Sequence, residues 1–418
     1  MDGVLRGWVA SAVALCCACG APEPPGNTGG TGVDAGVCGR GLVVVETDYQ
    51  SSNVSLVGVD GAVLSASLLS SASTGTALSA PLGGDVVVPT PSADGSRLVL
   101  IDRYPASVLT WVEVASGAVS AQLRVGMGFS SNPQDYVPID ARKAYVPRFE
   151  SNPSPGREPF DEGGDVLIVD PSGPRVTGRV DLTPAMAGED PRFLPRANRA
   201  LALGGSVFVL LSGYARDWSA SAESRLVRID PSADAIREVL VLRGLHGCGA
   251  LAPSPDGDEL AVACTGGFER SSTADITTSA VVRVALEPAL HELARYRAAS
   301  FGAGPAGFGL DYAAAGTLVV TTFGSFGDAH TAPEDDTVSA LTIASGEVST
   351  LLRSRGVPFS LGEVRCVREC EACFVTDAET GGGVVRRFQI EAEGRLSPGE
   401  AILPNPAIGM PPRYLGRF

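Results

Sequence analysis

The 418-residue chain carries 51 Gly and 30 Pro against 19% charged residues, a bias toward short strands and turns and away from long helices. Its formal charge of −15 rests on 32 Lys and Arg against 47 Asp and Glu. No basic stripe can follow a phosphate backbone, so nucleic acid is excluded as the expected partner, and attachment to an anionic membrane would require a separate anchor.

The first segment supplies such an anchor. Arg6 precedes an apolar run from Trp8 to Leu15, followed by Cys16, Cys17, Ala18, Cys19 and Gly20. That is the size and order of a secretory signal peptide, and the run is too short to span a bilayer. A Cys after small residues resembles the cleavage box of bacterial lipoproteins, which implies a signal peptide over 1–18 and lipidation at Cys19, with Cys17 as the alternative. Gly20 and Ala21 stand where some inner-membrane lipoproteins carry Asp, which points to the outer membrane of the cell envelope. From Ala21 to Gly39 the chain reads APEPPGNTGGTGVDAGVCG, too poor in large apolar residues to form a core. The expected organisation is therefore a lipidated tether over 19–40 and a folded, exported part over 41–418.

Within the folded part a unit recurs about every 50 residues. Its clearest copies are VVVPTPSADGSRLVLIDR, from Val86, and CGALAPSPDGDELAVACTG, from Cys248. Each is an apolar strand, a turn ending in Asp-Gly and a second apolar strand. Weaker copies begin at Asp135, Arg192, Gly307 and Val364. A second two-strand unit follows each hairpin, as in GDVLIVDPSGPRVTGRVDL and DTVSALTIASGEVSTLL. Four antiparallel strands per period make one propeller blade.

The periods number about seven: a partial one from Leu42 to Ser70, then full ones centred near turns at Asp94, Arg142, Ala197, Asp256, Ala314 and Glu369. The first lacks an innermost strand, and the isolated tail IGMPPRYLGRF, from Ile408 to Phe418, is positioned to supply it. The segment PALHELARYRAAS has helical composition, but its place in the period predicts an outer strand. The fold class is thus all-β, a seven-bladed β-propeller closed by its C-terminal strand, and the expected state is a monomer. The repeat PSPDGDELAVA resembles the YVTN and WD40-like propeller repeats; the resemblance implies architecture and little about activity.

Strand alternation sends the middle turn of every blade and the links between blades to one end of the ring. Several middle turns are long: 148–164, 212–224, 266–279 and 323–336. Loops held by a rigid ring form a recognition surface. Its candidate anchors are Phe149, Arg157, Phe160, Tyr214, Arg216, Trp218, Phe268, Arg270 and Phe326, residue types enriched at binding hot spots. Replacing Trp218 or Phe268 by Ala is expected to weaken capture of a protein or glycan partner while sparing stability.

Nine Cys in an exported chain imply disulfides, and six remain beyond the signal region. Cys248 and Cys264 flank one turn symmetrically and are expected to pair, as are Cys366 and Cys373, which leaves Cys370 for Cys38. The spacing of Cys366, Cys370 and Cys373 resembles the iron-sulfur motif of radical SAM enzymes, but an oxidising compartment and a hairpin setting argue against a cluster.

His246, in an interblade link, and His330, in a long middle turn, lie at the loop-rich end. With Asp328, Glu334, Asp335 and Asp336 they define the alternative reading, a lactonase-like hydrolase with its site at the mouth of the central channel. No nucleophile elbow, phosphate loop or dinucleotide fingerprint occurs, so no cofactor is expected and a binding or interaction module is the primary reading.

Overall fold

The structure is a computed structural model that describes residues 41–75, 78–91, 95–268, 275–302, 304–327, 332–355, 358–379 and 382–418. The leader, the lipidation site at Cys19, Cys38 and the tether lie outside the described residues.

Each period folds into four antiparallel strands, and seven such sheets form a ring, a β-propeller. Blade 1 has its outer three strands at Leu42–Thr47, Ser52–Val57 and Val63–Ser70. Blade 2 uses Val86–Val87, Arg97–Asp102, Val108–Glu113 and Val119–Arg124; blade 3 uses Val137–Asp140, Lys143–Pro147, Asp165–Asp170 and Arg175–Asp181. In blade 4 the strands are Ala197–Leu203, Ser206–Leu211, Arg225–Asp230 and Ala235–Val241, and in blade 5 Cys248–Pro253, Glu259–Cys264, Ala280–Ala285 and His291–Arg297. Blade 6 comprises Ala306–Ala314, Thr317–Thr322, Thr337–Thr342 and Glu347–Arg353; blade 7 comprises Leu361–Val367, Ala372–Asp377, Val384–Ile390 and Leu396–Ile402.

The missing innermost strand of blade 1 is Pro412–Arg417, which pairs antiparallel with Leu42–Thr47 and joins the two ends of the folded chain in one sheet. Leu415 is fully buried there. Closing the ring in this way pairs strand edges that would otherwise template aggregation.

Burial follows strand position. LVVVET, the second strand of blade 1, is buried at every residue, whereas in its outermost strand VLSASLLS only Leu69 is buried. The apolar cores lie between successive blades: Trp111, Leu109 and Ile101 of blade 2 pack with Val146 and Leu167 of blade 3. His291–Arg297 is an outer strand, as its place in the period predicts, because tertiary pairing overrides local helical composition.

Two local readings change. The first turn of blade 4 is Gly204–Gly205, not the region of Ala197, which instead begins the innermost strand. Both glycines have positive φ, 57° and 75°, the conformation that a two-residue hairpin turn requires. The innermost strand of blade 2 is only Val86–Val87. Pro89 and Pro91 lack the N–H needed to continue the ladder.

Carboxylates tie the innermost strands of neighbouring blades. Asp135 accepts from the N–H of Thr90 in blade 2 (2.9 Å) and of Ala200 in blade 4 (3.1 Å). Asp311 of blade 6 accepts from Cys366 of blade 7 (2.7 Å), and Glu363 of blade 7 accepts from Leu415 of blade 1 (3.2 Å). Each satisfies a backbone donor on a strand edge that faces the channel rather than another strand. Glycine permits the same close approach: a Cβ on Gly309 would lie 2.4 Å from the Gly362 carbonyl oxygen.

Disulfides staple two hairpins. Cys248 and Cys264 are cross-strand partners and are bonded, as are Cys366 and Cys373. All four are buried. Cys370 is also disulfide-bonded; its expected partner Cys38 lies outside the described residues.

Candidate functional site

The middle turns and interblade links gather at one end of the ring, as strand alternation dictates. The 148–164 turn has its own internal frame. Arg148, fully buried, makes a two-pronged pair with Asp165 (2.8 and 2.7 Å) and donates to the Phe160 carbonyl (2.7 Å). The Asp161 carboxylate accepts from the backbone N–H of Gly156, Arg157 and Glu158, and these hydrogen bonds hold its pKa below the usual carboxyl value. Arg157 is left exposed at the tip. Phe160 turns inward onto the core between blades 2 and 3, so it is a packing residue and not a surface anchor.

A first aromatic group forms where the 148–164 and 212–224 turns meet. Trp218 stacks on Phe149 (5.9 Å between ring centres) and contacts Tyr214 (4.9 Å). Tyr214 is buried and donates its hydroxyl to the Gly266 carbonyl (3.1 Å), linking this group to blade 5. Arg196 lies beneath, ion-paired with Glu150. Burial lowers the Arg196 pKa, the Glu150 charge opposing; an arginine stays cationic through such a shift. Arg216 is exposed and donates to the Ser151 carbonyl (2.8 Å). Of this group, then, Trp218 and Arg216 reach the surface.

A second aromatic group, of which sequence flagged only Phe326, forms beside blade 6. Phe308, on the innermost strand of blade 6, meets Phe323 (5.3 Å); Phe323 meets Phe359 (4.9 Å), and Phe359 meets Phe326 (6.0 Å). Phe323 is buried and carries the others, while Phe308, Phe326 and Phe359 are 46%, 70% and 37% exposed. Phe308 sits against Gly249 of blade 5, where a Cβ would come within 2.8 Å of its ring. Phe359 is held by Asp336.

Asp336 is fully buried and accepts four backbone N–H groups, from Gly324 (2.6 Å), Phe359 (3.0 Å), Ser360 (2.6 Å) and Leu361 (2.9 Å). A carboxylate so saturated is an anchor for two loops and has no lone pairs directed at a metal. Its proposed role as an oxygen donor is thereby replaced. Glu334 pairs through its backbone with Ser325, and Asp328 and His330 lie outside the described residues.

His246 is half-buried in the seam between blades 4 and 5, with Nδ1 2.7 Å from the Ser221 hydroxyl and its backbone N–H on Thr278. Glu223 and Asp275 are both close enough to feel its charge. For Glu223, burial is outweighed by hydrogen bonds from Gly244 and Arg243 and by the charges of Arg243 and His246, so its pKa falls; for Asp275 the Thr277 hydrogen bonds dominate the lowering. Phe268 is half-buried beside this seam, and Arg270 lies outside the described residues.

Taken together, the described aromatic side chains that are exposed are Tyr49, Tyr104, Trp218, Phe308, Phe326 and Phe359. All six belong to middle turns, interblade links or the strand start beside them, at the same end of the ring. Sequence reading caught Trp218 and Phe326 and missed the other four. Tyr49 and Tyr104 lie in short turns that length alone does not flag, and Phe308 reads as an ordinary core residue in an apolar strand.

No family model matches the chain, and no curated protein matches it in sequence. Solved structures resemble it in fold. A protein from Lactobacillus plantarum superposes with a TM-score of 0.57 at 13% identity, over 90% of this chain and 98% of that one. The periplasmic gluconolactonase of Pseudomonas aeruginosa gives 0.53 at 13% identity, over 90% and 97%. A β-propeller domain from Myceliophteria thermophila gives 0.52 at 11% identity, over 81% and 90%. At such identities the likeness is one of architecture.

Proposed function

We propose that this chain is a binding or protein-interaction module of the cell envelope, held by an N-terminal lipid at Cys19 and built from propeller repeats of the YVTN and WD40-like kind, which captures a protein or glycan on the loop-rich end of its ring. One observation carries the reading: every exposed aromatic among the described residues lies at that end. Exposed aromatics scattered by chance would fall on the outer strands and the opposite turns as well. Here they are mounted on a rigid ring, with Arg216 among them, which is the composition of a recognition surface whose anchors lose little entropy on binding. Capture that disappears when Phe326 and Phe359 are both replaced by Ala, and survives a change at the opposite end, tests the proposal.

A second reading rests on His246. A hydroxyl 2.7 Å from its ring nitrogen and two ionised carboxylates nearby are components of acid-base chemistry. One of the structural neighbours is a gluconolactonase, so lactone hydrolysis is the activity to assay. Turnover lost on His246→Gln would promote this reading over binding.

A further inference from the structure

The other end of the central channel, where the first turns lie, opens into a cavity of about 170 Å³. Three guanidinium groups line it, from Arg365 and Arg368 of blade 7 and Arg417 of blade 1, with a single carboxylate, Asp311 of blade 6. In a chain of net charge −15, an excess of cations at one concave site runs against the composition.

The carboxylate is already engaged. Asp311 accepts the N–H groups of Cys366 (2.7 Å) and Tyr312 (2.8 Å), and it stands 3.9 Å from Arg368. The arginines are held from behind. Arg365 donates to the Val364 carbonyl (3.0 Å) and pairs with Glu363 (3.2 Å), Arg368 donates to the Tyr312 carbonyl (3.2 Å), and Arg417 pairs with Glu369 (3.2 Å). A guanidinium carries five N–H donors, so these contacts orient each fork and leave donors for a ligand. Their side chains are 13%, 29% and 25% exposed, partly withdrawn from water, where a charge-assisted hydrogen bond is stronger than at an open surface. Pro91 and Pro253 on the rim contribute no N–H and fix the backbone around the mouth.

We propose that this mouth binds a small oxyanion of the phosphate or sulfate class between Arg365, Arg368 and Arg417. Planar forks on two neighbouring blades match the tetrahedral oxygens of such an ion, and the N–H donors not used by Glu363, Asp311 and Glu369 replace the water it gives up. The site is independent of the loop-rich end and would be occupied whichever reading of that end holds.

Inorganic phosphate titrated calorimetrically into the purified full chain at low ionic strength tests the proposal. Saturable binding is expected, competed by sulfate but not by chloride, and weakened roughly tenfold or more by Arg368→Ala and by Arg417→Ala. Arg157→Ala, at the opposite end, should leave it unchanged. If Arg368→Ala fails to fold, Arg368→Lys keeps the charge without the fork and should still weaken binding. Absence of saturable binding overturns the site, as does affinity unaltered by Arg417→Ala, whether or not that variant melts earlier, since the arginines would then serve only as ties between blades.

Discussion

The guanidinium of Arg196 lies 4.7 Å from the centre of the Trp218 ring, which covers it at the surface of the loop-rich end. The Phe149 ring, stacked beside Trp218, lies 5.0 Å from the same guanidinium, and Arg196 itself is 1% exposed. Trp218 is therefore both a surface aromatic, 41% exposed, and the lid on a buried cation.

This arrangement revises the expectation that Trp218→Ala spares stability. Removing the ring takes away a cation–π contact and two aromatic contacts, and opens Arg196 and Glu150 to water. A loss of about 1–3 kcal/mol is expected in denaturant unfolding. Phe326, 70% exposed, should by contrast cost no more than about 0.5 kcal/mol on truncation, so it is the cleaner probe of recognition.

Ring closure gives a second prediction. Glu363 is buried, ion-paired with Arg199 across the channel, and accepts the Leu415 N–H of the closing strand. Glu363→Ala takes the paired carboxylate from Arg199 and from Arg365 and leaves the Leu415 N–H without its acceptor. It should destabilise by about 3–5 kcal/mol, the usual penalty for stranding a buried charge, with Glu363→Gln falling between the two. Thermal unfolding of the three proteins side by side measures this, and an Ala variant as stable as the parent would show that the strand holds without the carboxylate.

The third concerns pH. Asp102, 2% exposed at the end of its strand in blade 2, has its pKa pushed up from 3.8 to about 6 by burial, against the hydrogen bond from Gly83 and with help from the Asp85 charge. One of its oxygens, Oδ1, has no hydrogen-bond partner. The folded state thus holds the proton more tightly than the unfolded chain does. Through this group, stability falls as pH rises from about 4 to about 6, and the full penalty, on the order of 3 kcal/mol, persists above that. Asp102→Asn should unfold at a higher temperature than the parent at pH 7.5, and the gap should close on acidification to pH 4. A gap independent of pH would assign the gain to packing instead.

The architecture was legible because most blades repeat the same physical instruction: an apolar strand, a tight turn, which bears Gly in blades 2, 4, 5 and 6, and another apolar strand. Pro412–Arg417 could be assigned to blade 1 since a lone strand at one end and a three-stranded blade at the other leave each other as partners. The two hairpin disulfides, Cys248–Cys264 and Cys366–Cys373, were legible for the same reason, as symmetric positions about a turn face each other. Blade 4 shows the limit. ALALGGSVFVLL reads continuously with the residues before it, and only the backbone conformation of Gly204 and Gly205 fixes the turn.

Side-chain direction was the main loss at the site. Phe160 and Phe326 both occupy long middle turns, yet one packs onto Trp111's core and the other is exposed. Asp336 looked like a free loop acid because the N–H groups it gathers come from residues 324 and 359–361, remote in sequence. The exposure of Phe308 in a strand follows from the channel beside it, a feature of the closed ring and of no local pattern.

Capture of a partner by the aromatic surface of the loop-rich end can be read out in one experiment. The most direct test compares retention of fractionated envelope proteins and glycans on three immobilised forms: the parent, Phe326→Ala with Phe359→Ala, and Arg142→Ala in the first turn of blade 3 at the opposite end. A component retained by the parent and by Arg142→Ala and lost from the double aromatic variant is expected, all three having the same melting temperature to within a few degrees. A component retained equally by all three, or lost only with Arg142→Ala, would show that the aromatic surface is not where capture occurs.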